Sequence, residues 1–479
     1  MKRPILAAAA IALSGALLVG CAAAADEAEA PTAAASVSAG ADVFSGDLSP
    51  EEVLAANADY TTVNDDEWSA ADAVDIELSG SSASSSAAGV GVDGSTVTIT
   101  EAGVYRVSGA LDGRLVVAAP DDALVVLILD GVDIDNTAGP AIEVQSADDV
   151  AIHLADGSEN TVSDAASYAD DATANAAIDA RADLTISGSG SLSVHGNGND
   201  GISSTDDLVI LSGDLTVTAA DDALRGKDAL VVEGGALELA AGSGDGLKSD
   251  QEEDETRGYI LVTGGDIDIT AGDDGVQAQT DTVITGGTLT AAVVDDGVKG
   301  EVIVSVGGGD ITVTESTEAM EAVNIGIFAG VLDLTASDDG INASGLNTGG
   351  ADRETDTGER LEISGGTITI VAGADGLDSN GTIGISGGDI VITSADNGGD
   401  IPVDANGEIT VTGGTVTANG AEWDPATAQQ GPGGMGGAGA PGGMPGGDGS
   451  RAPGGPGAGG FGGTPPEGAD GMAPGAPAQ

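Results

Sequence analysis

Bases are scarce in this chain: 13 Lys and Arg face 79 Asp and Glu, leaving a formal charge of −66 over 479 residues. A phosphate-binding surface needs a basic stripe, and none can be drawn here, so nucleic acid is excluded as a partner. Aromatic residues are scarcer still, with two Trp, four Tyr and three Phe. So few bulky side chains cannot fill the thick core of a globular enzyme of this length, although Ile, Val, Leu and Ala can line a narrow one. The single cysteine, Cys21, rules out a disulfide framework and a thiolate metal site. His153 and His195, the two histidines, are far apart and have no cysteine partner, so they support neither a zinc site nor a nucleophilic triad. Charge of one sign on this scale also opposes compaction through self-repulsion. Salt or bound cations must offset it, and adaptation to a saline habitat is the simplest source of such acidity.

The ends of the chain read plainly. Lys2 and Arg3 precede an apolar, alanine-rich run over residues 4–20 that closes on Leu18-Val19-Gly20-Cys21. Residues 1–20 read as a secretory signal rather than a retained membrane span. The close of the run resembles the bacterial lipobox, which implies lipidation of Cys21 and anchoring to the outer face of the bacterial cell membrane. An ordinary cleaved signal with an incidental cysteine is the alternative. Residues 21–50 suit a flexible tether. Residues 421–479, dominated by Gly, Pro, Ala and Met, bury too little apolar surface to offset ordering entropy and read as a disordered tail.

Between these ends a phrase recurs: AADDALRG (219–226), GSGDGLKS (242–249), AGDDGVQA (271–278), VVDDGVKG (293–300), ASDDGINA (336–343) and AGADGLDS (372–379). The equivalent acids, or their substitute, are Asp200, Asp222, Asp245, Asp274, Asp296, Glu318, Asp339, Asp375 and Asn397. Successive spacings are 22, 23, 29, 22, 22, 21, 36 and 22 residues. The two long ones coincide with polar insertions at 251–257 and 347–360. Each copy carries a short alternating strand such as GDLTV, GALEL, GDIDI or GTITI before the acid, and a further strand such as LVVEG or TVITG after it. A period of about 22 residues with three short strands predicts an all-β solenoid, a parallel β-helix. Two separate sandwiches are the alternative fold. Residues 90–420 are expected to form about 14 turns, a rod of about 65 Å at strand spacing. Residues 51–89, which include Trp68, are expected to cap the open N-terminal edge.

EAGVYRVSGALDGRLVV (101–117), LVVLILDGVDI (124–134), DVAIHLADGSENTVSD (149–164) and GDGLKSD (244–250), followed by the DDG turns, resemble a bacterial extracytoplasmic carbohydrate-binding domain family. The resemblance covers about residues 60–420. It implies a right-handed parallel β-helix similar to that of pectate-type polysaccharide lyases. It also implies calcium binding, and binding of cellulose and acidic plant sugars without cleavage.

In a β-helix, equivalent positions of neighbouring turns stack about 4.8 Å apart. Asp200, Asp222, Asp245, Asp274, Asp296, Glu318, Asp339 and Asp375 then form a ladder, with Asp221, Asp273, Asp295 and Asp338 in a second column beside it. Carboxylates this close repel by about 1 kcal/mol even at the dielectric constant of water. Ca²⁺, which takes six to eight oxygens from carboxylates and turn carbonyls, would relieve that repulsion. Asp-Gly is also ordinary turn chemistry, the Asp bonding its own backbone and the Gly adopting positive φ. Three residues past the ladder acids stand Arg225, Lys248 and Lys299. They can neutralise the acids, bind a uronate carboxylate, or act as the base of a calcium-dependent lyase. No residue is assigned as catalytic. With Tyr105, Tyr168, Tyr259 and Phe328 scattered, no aromatic platform for crystalline glucan is visible, which favours acidic glycans. The expected protein is a monomeric, lipid-anchored binder of polysaccharide. A lyase acting by β-elimination is the second reading, and a structural spacer or adhesin the third.

Overall fold

A computed structural model describes residues 45–169, 172–345, 355–397 and 399–428. The signal, Cys21 and residues 429–479 lie outside the described residues, as does all of the tether before residue 45.

The described chain is an all-β parallel solenoid. Three strands make up one turn, and each pairs in parallel with its counterpart in the next. Leu224–Gly226 lies against Leu247–Ser249, Ala229–Val232 against Tyr259–Val262, and Ala236–Ala241 against Asp266–Ala271. The coil thus has three faces. Inward residues stack like on like: Leu224, Leu247, Val276 and Val298 on the first face; Val232, Val262, Ile284 and Val306 on the second; Val217, Leu239, Ile269 and Ala291 on the third. These columns merge into one narrow apolar core, which explains how a chain so poor in aromatics fills its interior.

The faces differ in what covers them. Third-face strands alternate exposed and buried residues, as Asp214–Ala219 does, because only one side is packed. Second-face strands such as Asp207–Ile210, Ala229–Val232 and Tyr259–Val262 are buried at every position. Their outer side is covered by the N-terminal segment. The Leu48 carbonyl accepts from Ser305 Oγ (2.6 Å), and Asn57 Nδ2 donates to Asp281 (2.9 Å). Tyr60 bonds Glu233 (2.9 Å), the Thr61 N–H donates to Asp207 (2.8 Å), and the Val63 N–H to Thr185 Oγ1 (3.0 Å). Trp68 closes on His153 with ring centroids 4.9 Å apart. The segment is therefore a strap along the side of the coil, opposed to its direction of growth. Leu48 and Val53, the latter in the helix Pro50–Ala56, bury against Val209, Val231, Leu261 and Val283.

This placement corrects two expectations. The tether does not run to residue 50, because Leu48 is fully buried. The expected cap divides in two: residues 48–68 are strap, whereas Val74–Gly80 is the first strand of the coil, parallel to Gly103–Asp112. At the other end, Ala421–Glu422 folds back on Thr415–Ala418 and Trp423 packs on the core, so ordered structure passes the expected boundary at 421.

Candidate functional site

The ladder acids stand at the corner between the third and first faces. There the chain must turn while its backbone stays paired to the turns on either side. One carboxylate oxygen of every ladder Asp except Asp296 serves this need. Asp200 Oδ1 accepts the N–H of Asp222 (3.4 Å), Asp222 Oδ1 that of Asp245 (2.9 Å), Asp245 Oδ1 that of Asp274 (2.8 Å) and Asp274 Oδ1 that of Asp296 (2.8 Å). Farther along, Asp339 Oδ1 accepts from the Asp375 N–H (2.8 Å) and Asp375 Oδ1 from that of Ile401. The donors lie 22, 23, 29, 22, 36 and 26 residues past their acceptors. These bonds join turns, so the Asp does not cap its own turn as Asp-Gly chemistry alone suggests.

The glycines also differ from expectation. Gly201, Gly246, Gly275 and Gly297, which follow ladder acids, are not among the positive-φ residues. Space explains them: a Cβ on Gly246 would stand 2.4 Å from Ile269 Cγ2 and 2.7 Å from the Gly275 carbonyl oxygen. Positive φ belongs instead to Gly235, Gly265, Gly287 and Gly309, at the corner before the third face.

Asp200, Asp222, Asp245, Asp274 and Asp296 are only 1% to 5% exposed. Burial, ahead of neighbouring charge, pushes Asp200 and Asp274 up to about 7 and Asp222 up to about 6. It raises Asp296 as well. Two lysines relieve part of this. Lys248 Nζ lies 2.8 Å from Asp245 Oδ2 and 3.4 Å from Asp222 Oδ1. Lys299 Nζ lies 2.8 Å from Asp296 Oδ2 and 3.2 Å from Glu321 Oε2. Burial opposes the charge of each ammonium, but bonds and attraction to these carboxylates outweigh it and hold both lysines above the ordinary range. Arg225 turns to Asp250, with Nη2 2.6 Å from Oδ2. All three bases of the column are thus paired with acids.

Ladder acids and their neighbours also gather into threes, with one ligand oxygen of each within 4.8 Å of the others. Asp200, Asp221 and Asp222 form one group, Asp273, Asp274 and Asp295 a second. Asp296 joins Glu318 and Glu321, and Asp375 joins Asp378 and Asp404. Each offers hard oxygen donors only, the chemistry Ca²⁺ prefers. The third group carries a further sign. The chain of carboxylate-to-amide bonds breaks at Glu318, and among the described residues buried Asp296 Oδ1 has no hydrogen-bond partner. Such an oxygen is costly unless a proton or cation meets it. Of the other expected ligands, Asp245 is engaged by Lys248, and Asp338 and Asp339 fall in none of the four groups.

Glu321, Asp378 and Asp404 were not among the expected ligands. Glu321 and Asp378 hold the column of Lys248 and Lys299, acids where bases stand elsewhere. Asp404 escaped because the last turn is longer: Ile401, not Asn397, takes the ladder position, while Asn397 sits in a loop bonded to Asp400.

The model of the family described as carbohydrate-binding domain-containing protein matches residues 93–345 and 290–425. The chain belongs to this family. A curated family relative from Acetivibrio thermocellus, described in the same words, is 34% identical over 195 residues, covering 40% of this chain and 68% of its own. A solved structure described as a polysaccharide lyase-like protein from C. thermocellum, a gadolinium derivative, shares 33% identity over 54% of this chain and 96% of its own, with a TM-score of 0.43. Membership of the carbohydrate-binding domain family supports polysaccharide binding as the function.

Proposed function

We propose that the protein binds acidic, uronate-containing polysaccharide through calcium held on the acidic ladder, without cleaving it. The observation that carries this reading is the division of labour along the ladder. In Asp200, Asp222, Asp245 and Asp274, Oδ1 accepts the N–H of the next turn and the second oxygen takes no part in that bond, while in Asp296 Oδ1 itself has no hydrogen-bond partner among the described residues. Asp200, Asp221 and Asp222, then Asp273, Asp274 and Asp295, then Asp296, Glu318 and Glu321 would hold the ions. Bound there, Ca²⁺ would supply positive charge and open coordination positions to a uronate carboxylate. The coil is read as right-handed, as about 98% of such parallel connections are, with about 22 residues per turn between insertions. The chain is further read as exported and held to the outer face of the bacterial cell membrane through lipid on Cys21.

The lyase reading needs a lysine or arginine able to accept a proton near neutral pH. Lys248 and Lys299, held charged by their carboxylates, are poor proton acceptors, and Arg225 is fixed on Asp250. Incubation with polygalacturonate tests both readings. We expect calcium-dependent co-sedimentation that chelator abolishes, with no growth of unsaturated uronide absorbance. Sedimentation indifferent to chelator removes the calcium bridge, and growing absorbance restores the lyase.

A further inference from the structure

The strap does more than cover the second face. Where it passes the corner between the second and third faces, it encloses with the coil a groove of about 710 Å³, within the range of small-ligand sites. Asp66 of the strap forms one wall. His153, Asp156, Ser187, Ser212 and Glu233, from four successive turns, stand in the wall contributed by the coil. Three strand spacings make this about 14 Å long, the reach of a short oligosaccharide rather than one sugar ring.

The polar groups are held in place and half used. Ser189 Oγ donates to Asp156 Oδ1 (3.0 Å), and the Tyr60 hydroxyl to Glu233 Oε1 (2.9 Å). His153 Nδ1 shares a hydrogen with Ser187 Oγ at 3.0 Å, and its ring is braced edge-on by Trp68 at an interplanar angle of 65°. Among the described residues, Asp156 Oδ2, Glu233 Oε2 and His153 Nε2 make no hydrogen bond, on side chains whose ordering cost is already met. Among the described residues, the lining includes no Lys or Arg, so an anionic sugar is repelled. Its carboxylates are absent from the groups whose oxygens converge within 4.8 Å, so the spacing suits several hydroxyl donors better than one cation. Sugar hydroxyls donating to carboxylates make the stronger, charge-assisted kind of hydrogen bond.

We propose that this groove is a second glycan site, one that takes a neutral oligosaccharide without calcium. It is separate from the ladder in place, ligand charge and cation requirement. Titration calorimetry on the full chain, with cellohexaose, xylohexaose, mannohexaose and hexagalacturonate in excess chelator, tests it. We expect at least one neutral hexaose to bind in chelator and hexagalacturonate not to. Ser212→Trp, which fills the groove, should abolish that binding, and Asp66→Ala on the exposed strap turn should weaken it roughly tenfold. Asp66→Ala keeps the test decisive if the tryptophan variant does not fold. Failure of all three neutral hexaoses to bind, or binding that chelator removes or that Asp66→Ala leaves unchanged, overturns the proposal. Calcium-dependent binding of hexagalacturonate is read in a separate titration, so the two sites stand or fall independently.

Discussion

Asp274 shows how one side chain serves two purposes. Its Oδ1 accepts the Asp296 N–H, which no backbone carbonyl at this corner takes, while its charge belongs to a cluster with Asp273 and Asp295. Asparagine keeps the acceptor and removes the charge; alanine removes both. Asp274→Ala should cost about 1–3 kcal/mol, because a buried N–H loses its partner. Asp274→Asn should match or exceed the wild type in chelator, since burial already disfavours the charge. Both should lose calcium stabilisation, measured as the shift in melting temperature on adding the ion. Equal destabilisation by the two variants in chelator would remove the acceptor argument. The acids were legible from sequence because their period aligned them, but the partner of each oxygen was not. A repeat announces which residues stack and leaves unstated whether a carboxylate faces an amide, an ammonium or solvent.

At the scale of strands and turns, regularity in the sequence became regularity in the coil wherever burial was one-sided. GDLTV and its kin alternate, and the structure exposes and buries them in turn. The strap was missed because its contacts reach across the chain, as from Leu48 to Ser305, 257 residues away. A local signal did exist. The runs LVI (208–210), LVV (230–232) and ILV (260–262) do not alternate, and an apolar run without alternation reports cover on both faces. The corner glycines form a second element-level rule. Gly309 has φ +91, and a Cβ there would meet the Gly286 carbonyl oxygen at 3.1 Å. Gly309→Ala should therefore cost about 1–3 kcal/mol. Gly384, whose added Cβ would meet nothing nearer than 3.9 Å, should tolerate alanine with a far smaller change. Denaturant midpoints for the pair check this, and equal costs would contradict it.

Over the whole molecule, the charge of −66 acts through pH. Burial pushes Asp200, Asp274 and Asp375 up to about 7, and Asp222 and Asp339 up to about 6, against about 3.9 in an unfolded chain. Across that window the folded state holds more protons than the unfolded one, so the metal-free fold loses stability as pH rises from about 4 to 7. In chelator, the melting temperature should fall between pH 5 and pH 8. Saturating calcium binds the deprotonated form, so its stabilisation should be largest at pH 8 and should flatten or reverse the slope. A melting temperature that climbs with pH in chelator would contradict the assignment.

The strap also imposes a schedule on synthesis. Chains emerge N-terminus first, at about 5–20 residues per second, and Leu48 must then wait for Ser305 and Gly326 to be made before its seat exists. The strap docks in reverse order to the growth of the coil: Trp68 can find His153 early, and Leu48 settles last. Until then the outward valines of the second face are bare, so the period of greatest exposure to aggregation ends only when most of the coil has been made.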